Sequence, residues 1–300
     1  MPTRTLESPP SILPLYARAA APMIPGASLL PGIPGGGGEI PELELELAGV
    51  RAEPGDVAAY AKVCGFALRD HLPPTYPHIL AFPLQMAVMA DGSFPFGAVG
   101  LVHIENTITQ HRRIGLDEEL RLTVRPTGLE PHPRGRTFSL VTEAWAGRQK
   151  AWEETSTMLR RGGGDASAAK SNEPAAAAVL TVSGEWRLGG DLGRRYAAVS
   201  GDRNPIHMHA WTAKPLGFKQ AIAHGMWTKA RALAALESRL PDAFRAEARF
   251  RKPIFLPGRV EFLADEETFS VRDAKRETPH LDGRVKRVEA KQRSERKKPK

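Results

Sequence analysis

The stretch ELELELAGV at 42–50 alternates acidic and apolar residues. A period of two places the leucines on one face of a pleated strand and the glutamates on the other. Elsewhere the period lengthens. In GMWTKARALAALESRL (225–240), Leu233, Leu236 and Leu240 fall on one side of a helix, and YPHILAFPLQMAVMA (76–90) is a second long, apolar helical stretch that Pro83 interrupts. SILPLYARAAAPMIPGASLL (11–30) predicts a short helix packed on the body. Its apolar runs are short, Arg18 breaks them, and Glu7 offsets Arg4, so it does not read as an export signal. No apolar run reaches the roughly 18 residues that a membrane-spanning helix needs.

Two segments separate the periodic stretches. IPGGGGEIP (33–41) is a flexible loop, and RRGGGDASAAKSNEPAAAA (160–178), free of aromatic residues, reads as a linker. On either side of that linker the chain repeats itself weakly. GDVAAYAKVCG (55–65) matches GDLGRRYAAVSG (190–201), with Tyr60 over Tyr196 and Gly65 over Gly201. ITQHRRIGLDEELRLTV (108–124) matches ARFRKPIFLPGRVEFLA (248–264) at an offset of 140, with Ile114 over Ile254. Each unit runs strand, short helix, loop, longer helix, then several strands, which predicts an α+β fold in two copies. The expected organisation is an N-terminal extension (1–41), a first unit (42–162), a linker (163–180), a second unit (181–283) and a basic tail (284–300).

Composition narrows the class. A chain of 300 residues with 41% hydrophobic and 25% charged content is an ordinary globular protein. Its single cysteine, Cys64, rules out an internal disulfide and a multi-cysteine metal site, and it fits a reducing cytoplasm. The net charge of +8 suggests nucleic acid until it is located. Residues 284–300 hold nine Lys or Arg against two Glu, so seven of the eight charges sit in the tail and the body is nearly neutral. That distribution is expected of a solvated chain end, with an anionic partner such as an acidic carrier protein or RNA left open to the tail alone, and it argues against a nucleic-acid surface on the body.

The chemistry concentrates in SGDRNPIHMH (200–209). Asn204-Pro205 is a stiff turn, so Asp202 and His207 are held in place and can converge on one water molecule as an acid–base pair. The alternatives are that Asp202 caps the next helix and His207 is a satisfied buried group, or that Asp202, His207 and His209 bind a metal. No further His or Cys spacing completes a metal set. Gly225 opens the second long helix, where a backbone N–H at the positive end of the helix dipole suits a developing oxyanion such as a thioester enolate. The chain has no G-x-S-x-G elbow, Walker loop or G-x-G-x-x-G fingerprint, which removes support for covalent, phosphoryl and hydride chemistry.

YAAVSGDRNPIHMHAWTAKPLGFKQAIAHGMW (196–227) resembles the hydratase-2 signature of the MaoC-like, (R)-specific enoyl-CoA hydratases. PPTYPHILAFPLQMAVMADGSFPFGAVGLVHIENTITQHRRI (73–114) is similar to the degenerate first half of the actinobacterial double-hotdog 3-hydroxyacyl-thioester dehydratases. The resemblance covers about residues 42–283. It implies two tandem hotdog units, the N-terminal one degenerate, and a catalytic pair of Asp202 and His207. Ser200, Asn204 and Gly225 would orient the reactants or hold the oxyanion, and Ile206, His224, Met226 and Tyr76 would line the substrate. It implies no metal and no redox cofactor, and an acyl thioester of CoA or of acyl carrier protein as substrate. In the family a helix broken near Pro83 would widen an acyl tunnel, from which medium to long chains are expected. One position departs from the family pattern: His209 stands where an Asp is usual, two residues after His207.

The reaction expected is water elimination from a 3-hydroxyacyl thioester or addition to a trans-2-enoyl thioester. The rival readings are a non-catalytic acyl-thioester or carrier-protein binding module and a hotdog thioesterase. The sequence leaves open the pathway, the physiological direction and whether two copies pair as a homodimer.

Overall fold

The computed structural model describes residues 2–21, 33–35, 37–98, 100–165, 167–168 and 180–288. The N-terminal segment contributes strand β1 (Thr3–Leu6) and helix α1 (Ile12–Ala20). The first unit follows: β2 (Glu44–Val50), α2 (Pro54–Cys64), α3 (Tyr76–Met89), β3 (Leu101–Gln110), β4 (Leu120–His132), β5 (Gly135–Ala146) and β6 (Gln149–Arg161). The second is β7 (Thr181–Leu188), α4 (Leu192–Ser200), α5 (Pro205–Met208), α6 (Ala210–Ala213), α7 (Gly225–Ala235), β8 (Phe244–Phe250), β9 (Gly258–Ala264), β10 (Thr268–Asp273) and β11 (Pro279–Arg287).

The eleven strands among the described residues join one sheet in the order β1-β2-β4-β5-β6-β3-β8-β11-β10-β9-β7. Leaving out β1, the order of the first unit is the mirror of the second about the β3–β8 seam. The offset of 140 that lays Ile114 over Ile254 also carries Thr107 onto Glu247, and these two residues are paired across that antiparallel seam. A local two-fold axis therefore passes between them. In the first unit α3 packs on β2, β4 and β5; in the second α7 packs on β10. Each unit is a curved antiparallel sheet against a long helix, the α+β double hotdog.

The short helices of the two units also meet across the axis. The rings of Tyr60 on α2 and Tyr196 on α4 lie 6.1 Å apart in the core, and both helices stop at a glycine with positive φ, Gly65 and Gly201. An L side chain resists that conformation, so glycine ends both helices.

Several expectations are corrected. Helix α3 is continuous through Pro83, because Ala81, Phe82, Leu84, Gln85 and Met86 around it are all buried and tertiary packing outweighs one missing amide donor. Helix α7 ends at Ala235, and a single 3-10 turn (Glu237–Arg239) completes the stretch expected to be helical to 240. The basic tail expected from residue 284 starts inside a strand. β11 runs to Arg287 and pairs Lys286 with Arg245, because Val285 packs on the core while the charges on either side face solvent. Strand β1, which pairs parallel to the edge of β2, was not expected at all. Most of the linker expected at 163–180 lies outside the described residues.

One polar knot sits in the core between the units. Glu154 on β6 accepts hydrogen bonds from Gln85 and Asn106 and contacts His78 Nδ1 at 2.8 Å. The ammonium of Lys229 on α7 donates to the Asn106 side chain and to the carbonyl oxygens of Asn106 and Ala246. Burial pushes Lys229 down to about 7, against the attraction of Glu154. Burial works to raise the Glu154 carboxyl, yet His78, Asn106 and Lys229 hold it at about 2.

Candidate active site

Asp202 and His207 sit on the short connection between α4 and α7, and local chemistry fixes both. Gly201 ends α4, and the Asp202 amide donates to Ser200 Oγ at 3.2 Å. Asp202 Oδ1 accepts the Asn204 amide at 3.1 Å, closing an Asx turn. Asn204 then caps α5, its own Oδ1 accepting the Ile206 amide at 3.4 Å, with Pro205 at the first helical position. The helix cap is therefore Asn204, not Asp202. Asn204 thus touches the Asp202 carboxylate through its main-chain N–H, while its side-chain oxygen serves the cap. Ser200 braces the loop from beneath.

His207 is buried on α5, and its Nδ1 lies 2.8 Å from the Ile222 carbonyl oxygen. A carbonyl only accepts, so Nδ1 carries the proton and Nε2 keeps its lone pair. Glycine at 193 permits this placement: a Cβ there would stand 1.9 Å from the His207 carbonyl oxygen. His224, expected in the substrate lining, stands directly beside Asp202 and His207. Its ring stacks on His207, and its Nε2 donates to the Asp202 carbonyl oxygen at 3.0 Å and lies 3.7 Å from Asp202 Oδ2. Its Nδ1 is buried without a partner, as is the hydroxyl of Tyr196, whose ring is 4.8 Å away.

One donor atom from each of Asp202, His207 and His224 lies within 4.8 Å of the others. Burial works to raise the Asp202 carboxyl, but His224, His207, the Asn204 amide and the Tyr16 hydroxyl hold it below the ordinary carboxylate range. Burial lowers His207 despite the nearby Asp202 charge, and burial with the adjacent His207 pushes His224 down to about 3. At neutral pH the cluster is thus one carboxylate beside two neutral imidazoles. Chemically the trio could ligate a divalent ion. The stacked rings, 25° from parallel, hold their lone pairs in nearly parallel planes instead of aiming them at one point.

Gly225 opens α7, so its N–H has no acceptor within the helix. A Cβ at 225 would stand 3.1 Å from the ring of Phe250, whose other neighbour is the His103 ring at 4.9 Å. Met226 follows, buried, and Ile206 is half-buried on α5. Tyr76 is placed apart: it packs edge-on against Tyr60, which in turn contacts Tyr196. His209 caps α6, where its side chain accepts the amide of the third helical residue and its ring stacks on Trp211. Sequence reasoning missed Tyr16 on α1, which donates to Asp202 Oδ1 at 2.8 Å. It also missed Gly193. Tyr16 lies in no motif and Gly193 only in the weak repeat, and what each touches is set by tertiary packing.

Residues 173–289 match the sequence profile of the MaoC like domain. Over 259 residues the chain is 36% identical to "3-hydroxyacyl-thioester dehydratase X" of Mycobacterium tuberculosis, covering 83% of this chain and 90% of that protein. The crystal structure of HtdX of Mycobacterium tuberculosis is similar with a TM-score of 0.73 and 35% identity, over 82% of this chain and all of that one. A further Mycobacterium tuberculosis protein with a double hotdog fold matches with a TM-score of 0.53 at 15% identity, over 79% of this chain and 92% of that one, a likeness of fold.

Proposed function

Since the chain belongs to the MaoC-like 3-hydroxyacyl-thioester dehydratases, we propose that Asp202 and His207 carry out the syn elimination of water from an (R)-3-hydroxyacyl thioester and its reversal. The observation that carries this reading is the carboxylate and the imidazole within reach of a single water on one rigid loop. In the hydration direction a water donates its two hydrogens to Asp202 Oδ2 and His207 Nε2. Its oxygen bonds to C3 of the enoyl thioester, one proton passes to the pair, and the electron pair of the double bond moves into a thioester enolate. The Gly225 N–H supports that developing oxyanion. The proton held by the pair then returns to C2 on the same face. Dehydration runs the same steps backward.

The acyl group arrives on CoA or on acyl carrier protein. The expectation of medium to long chains rested on a broken helix, and α3 is unbroken, so chain length is a variable of the assay. No helix among the described residues is long and apolar enough to cross a membrane. A cytoplasmic location is supported by the single, buried Cys64.

The test is the ultraviolet absorbance of trans-2-enoyl-CoA from short to long chains, with wild type and Asp202→Asn. Loss of the conjugated signal in wild type, its abolition in the variant and an (R)-3-hydroxy product are expected. Silence at every chain length on folded protein would favour a binding module, and release of free thiol a thioesterase.

A further inference from the structure

Asp202 receives a contact from outside its own unit. Tyr16 lies on α1, in the N-terminal segment and outside the 173–289 match, 186 positions from the carboxylate it touches. Its hydroxyl donates to Asp202 Oδ1 at 2.8 Å and accepts the Arg203 amide, also at 2.8 Å. Because an amide can only donate, the Arg203 N–H fixes the polarity of the relay: N–H to hydroxyl oxygen, hydroxyl proton to carboxylate. Burial, followed by the Asp202 charge, raises the Tyr16 phenol far above its ordinary value, so it serves as a donor and not as a base.

The placement of α1 is specific. Four residues before Tyr16, Ile12 seats its Cδ1 in the space that a Cβ on Gly201 would occupy, at 2.8 Å, while Phe82 of α3 closes the other side. Glycine at 201 therefore ends α4 and also admits α1 to the catalytic loop. At the other end of the segment, β1 pairs with β2 at the sheet edge and Arg4 lies 3.9 Å from Asp91.

With the Asn204 amide and the Tyr16 hydroxyl both on Oδ1, Asp202 keeps Oδ2 for the reacting molecule. We infer that Tyr16 is a positioning residue for the reaction, supplied by the N-terminal segment to lock Asp202 Oδ1 and present Oδ2. The inference rests on the proton-transfer reading of Asp202. The titratable and charged groups around the carboxylate are Tyr16 from α1, Tyr196 from α4, Arg203 in the loop, His207 from α5 and His224 at the start of α7. Of these, only the Tyr16 hydroxyl is removed by Tyr16→Phe.

The experiment compares wild type, Tyr16→Phe, Tyr16→Ala and Asp202→Asn by pH profiles of kcat and KM for enoyl-thioester hydration, with thermal melting as the check on folding. A donor to an ionised carboxylate is worth on the order of one pK unit. Tyr16→Phe is therefore expected to cut kcat about tenfold with little change in KM, to move the acid limb up by about one pH unit, and to melt like wild type. Tyr16→Ala is expected to behave as Tyr16→Phe does or worse. A Tyr16→Phe enzyme with the wild-type profile, alongside an impaired Tyr16→Ala, would reduce Tyr16 to packing and overturn the inference. Inactive wild type, or a fully active Asp202→Asn, would instead overturn the proton-transfer reading itself.

Discussion

The rings of His207 and His224 lie 3.6 Å apart, centroid to centroid, stacked over each other beside Asp202. Two imidazolium ions would repel at that distance, and burial disfavours even one. The proposed mechanism needs Asp202 ionised and His207 neutral, and both groups titrate below their ordinary values. As pH falls through the ordinary histidine range of about 6.5, His207 stays neutral. A plateau in kcat/KM that continues below that pH and falls only in more acid solution is expected. A half-maximal point at pH 6.5 or above would contradict this charge state.

Gly193→Ala tests how α5 is seated. A methyl group placed 1.9 Å from the His207 carbonyl oxygen must displace α5 or α4. Overpacking of this kind costs about 1–3 kcal/mol of stability, and it moves the imidazole to which the proposed mechanism gives a proton. A loss of kcat of at least tenfold is expected in a protein that still melts cooperatively; unchanged kcat would show that the loop tolerates the shift.

The Glu154–Asn106–Lys229 knot carries a stability prediction. Removing one group leaves the other with fewer compensating partners in the core, so Glu154→Gln and Lys229→Met should each destabilise by up to about 3–5 kcal/mol, less where His78 still faces Glu154 and where burial lets Lys229 shed its proton near pH 7. In the double variant neither of the two groups faces the other's absence, and its loss should be smaller than the sum of the two. Calorimetric melting measures the cycle, and simple additivity would mean the two groups are independent. The depressed Glu154 value adds a sign: its contribution is complete above the unfolded pKa of about 4.3 and is lost as pH falls toward its folded value of about 2.

Truncation separates tail from strand. Ending the chain at Gly283 removes four rungs of the β11–β8 ladder, opposite Phe244 to Glu247. The melting temperature should drop by several degrees, since about 1 kcal/mol shifts Tm by roughly 2–4 °C in a chain of this size. An unchanged Tm would mean those rungs add nothing.

Chelation addresses the Asp202, His207 and His224 trio. Prolonged dialysis against EDTA should leave hydration rates unchanged; loss of rate, restored by a divalent ion, would turn the trio into a metal site.

Much of this was legible in the chain. Tyr60 over Tyr196 and Gly65 over Gly201 revealed the duplication because a helix that ends on glycine against a shared tyrosine cluster leaves a local mark. The loop around Asp202 was legible because Asn204-Pro205 dictates its own turn. What could not be read depends on long-range packing. Nothing in SILPLYARAA shows that Tyr16 reaches Asp202, and nothing near Pro83 shows that its neighbours keep α3 continuous. Val285 was hidden among charges that needed only to alternate with it to make a strand. The stack of His224 on His207 was hidden too, because it brings together two segments that the chain separates.

The seam between Thr107 and Glu247 has one further consequence. Where two identical chains must meet to complete such a sheet, the site dissolves on dilution below their dissociation constant. Here both sides of the seam belong to one polypeptide, so their meeting is intramolecular and independent of protein concentration. Turnover per chain is then insensitive to how little protein is present. A substitution on one side also has no obligatory copy on the other, which leaves one unit free to keep an acid–base loop and its partner free to lose it.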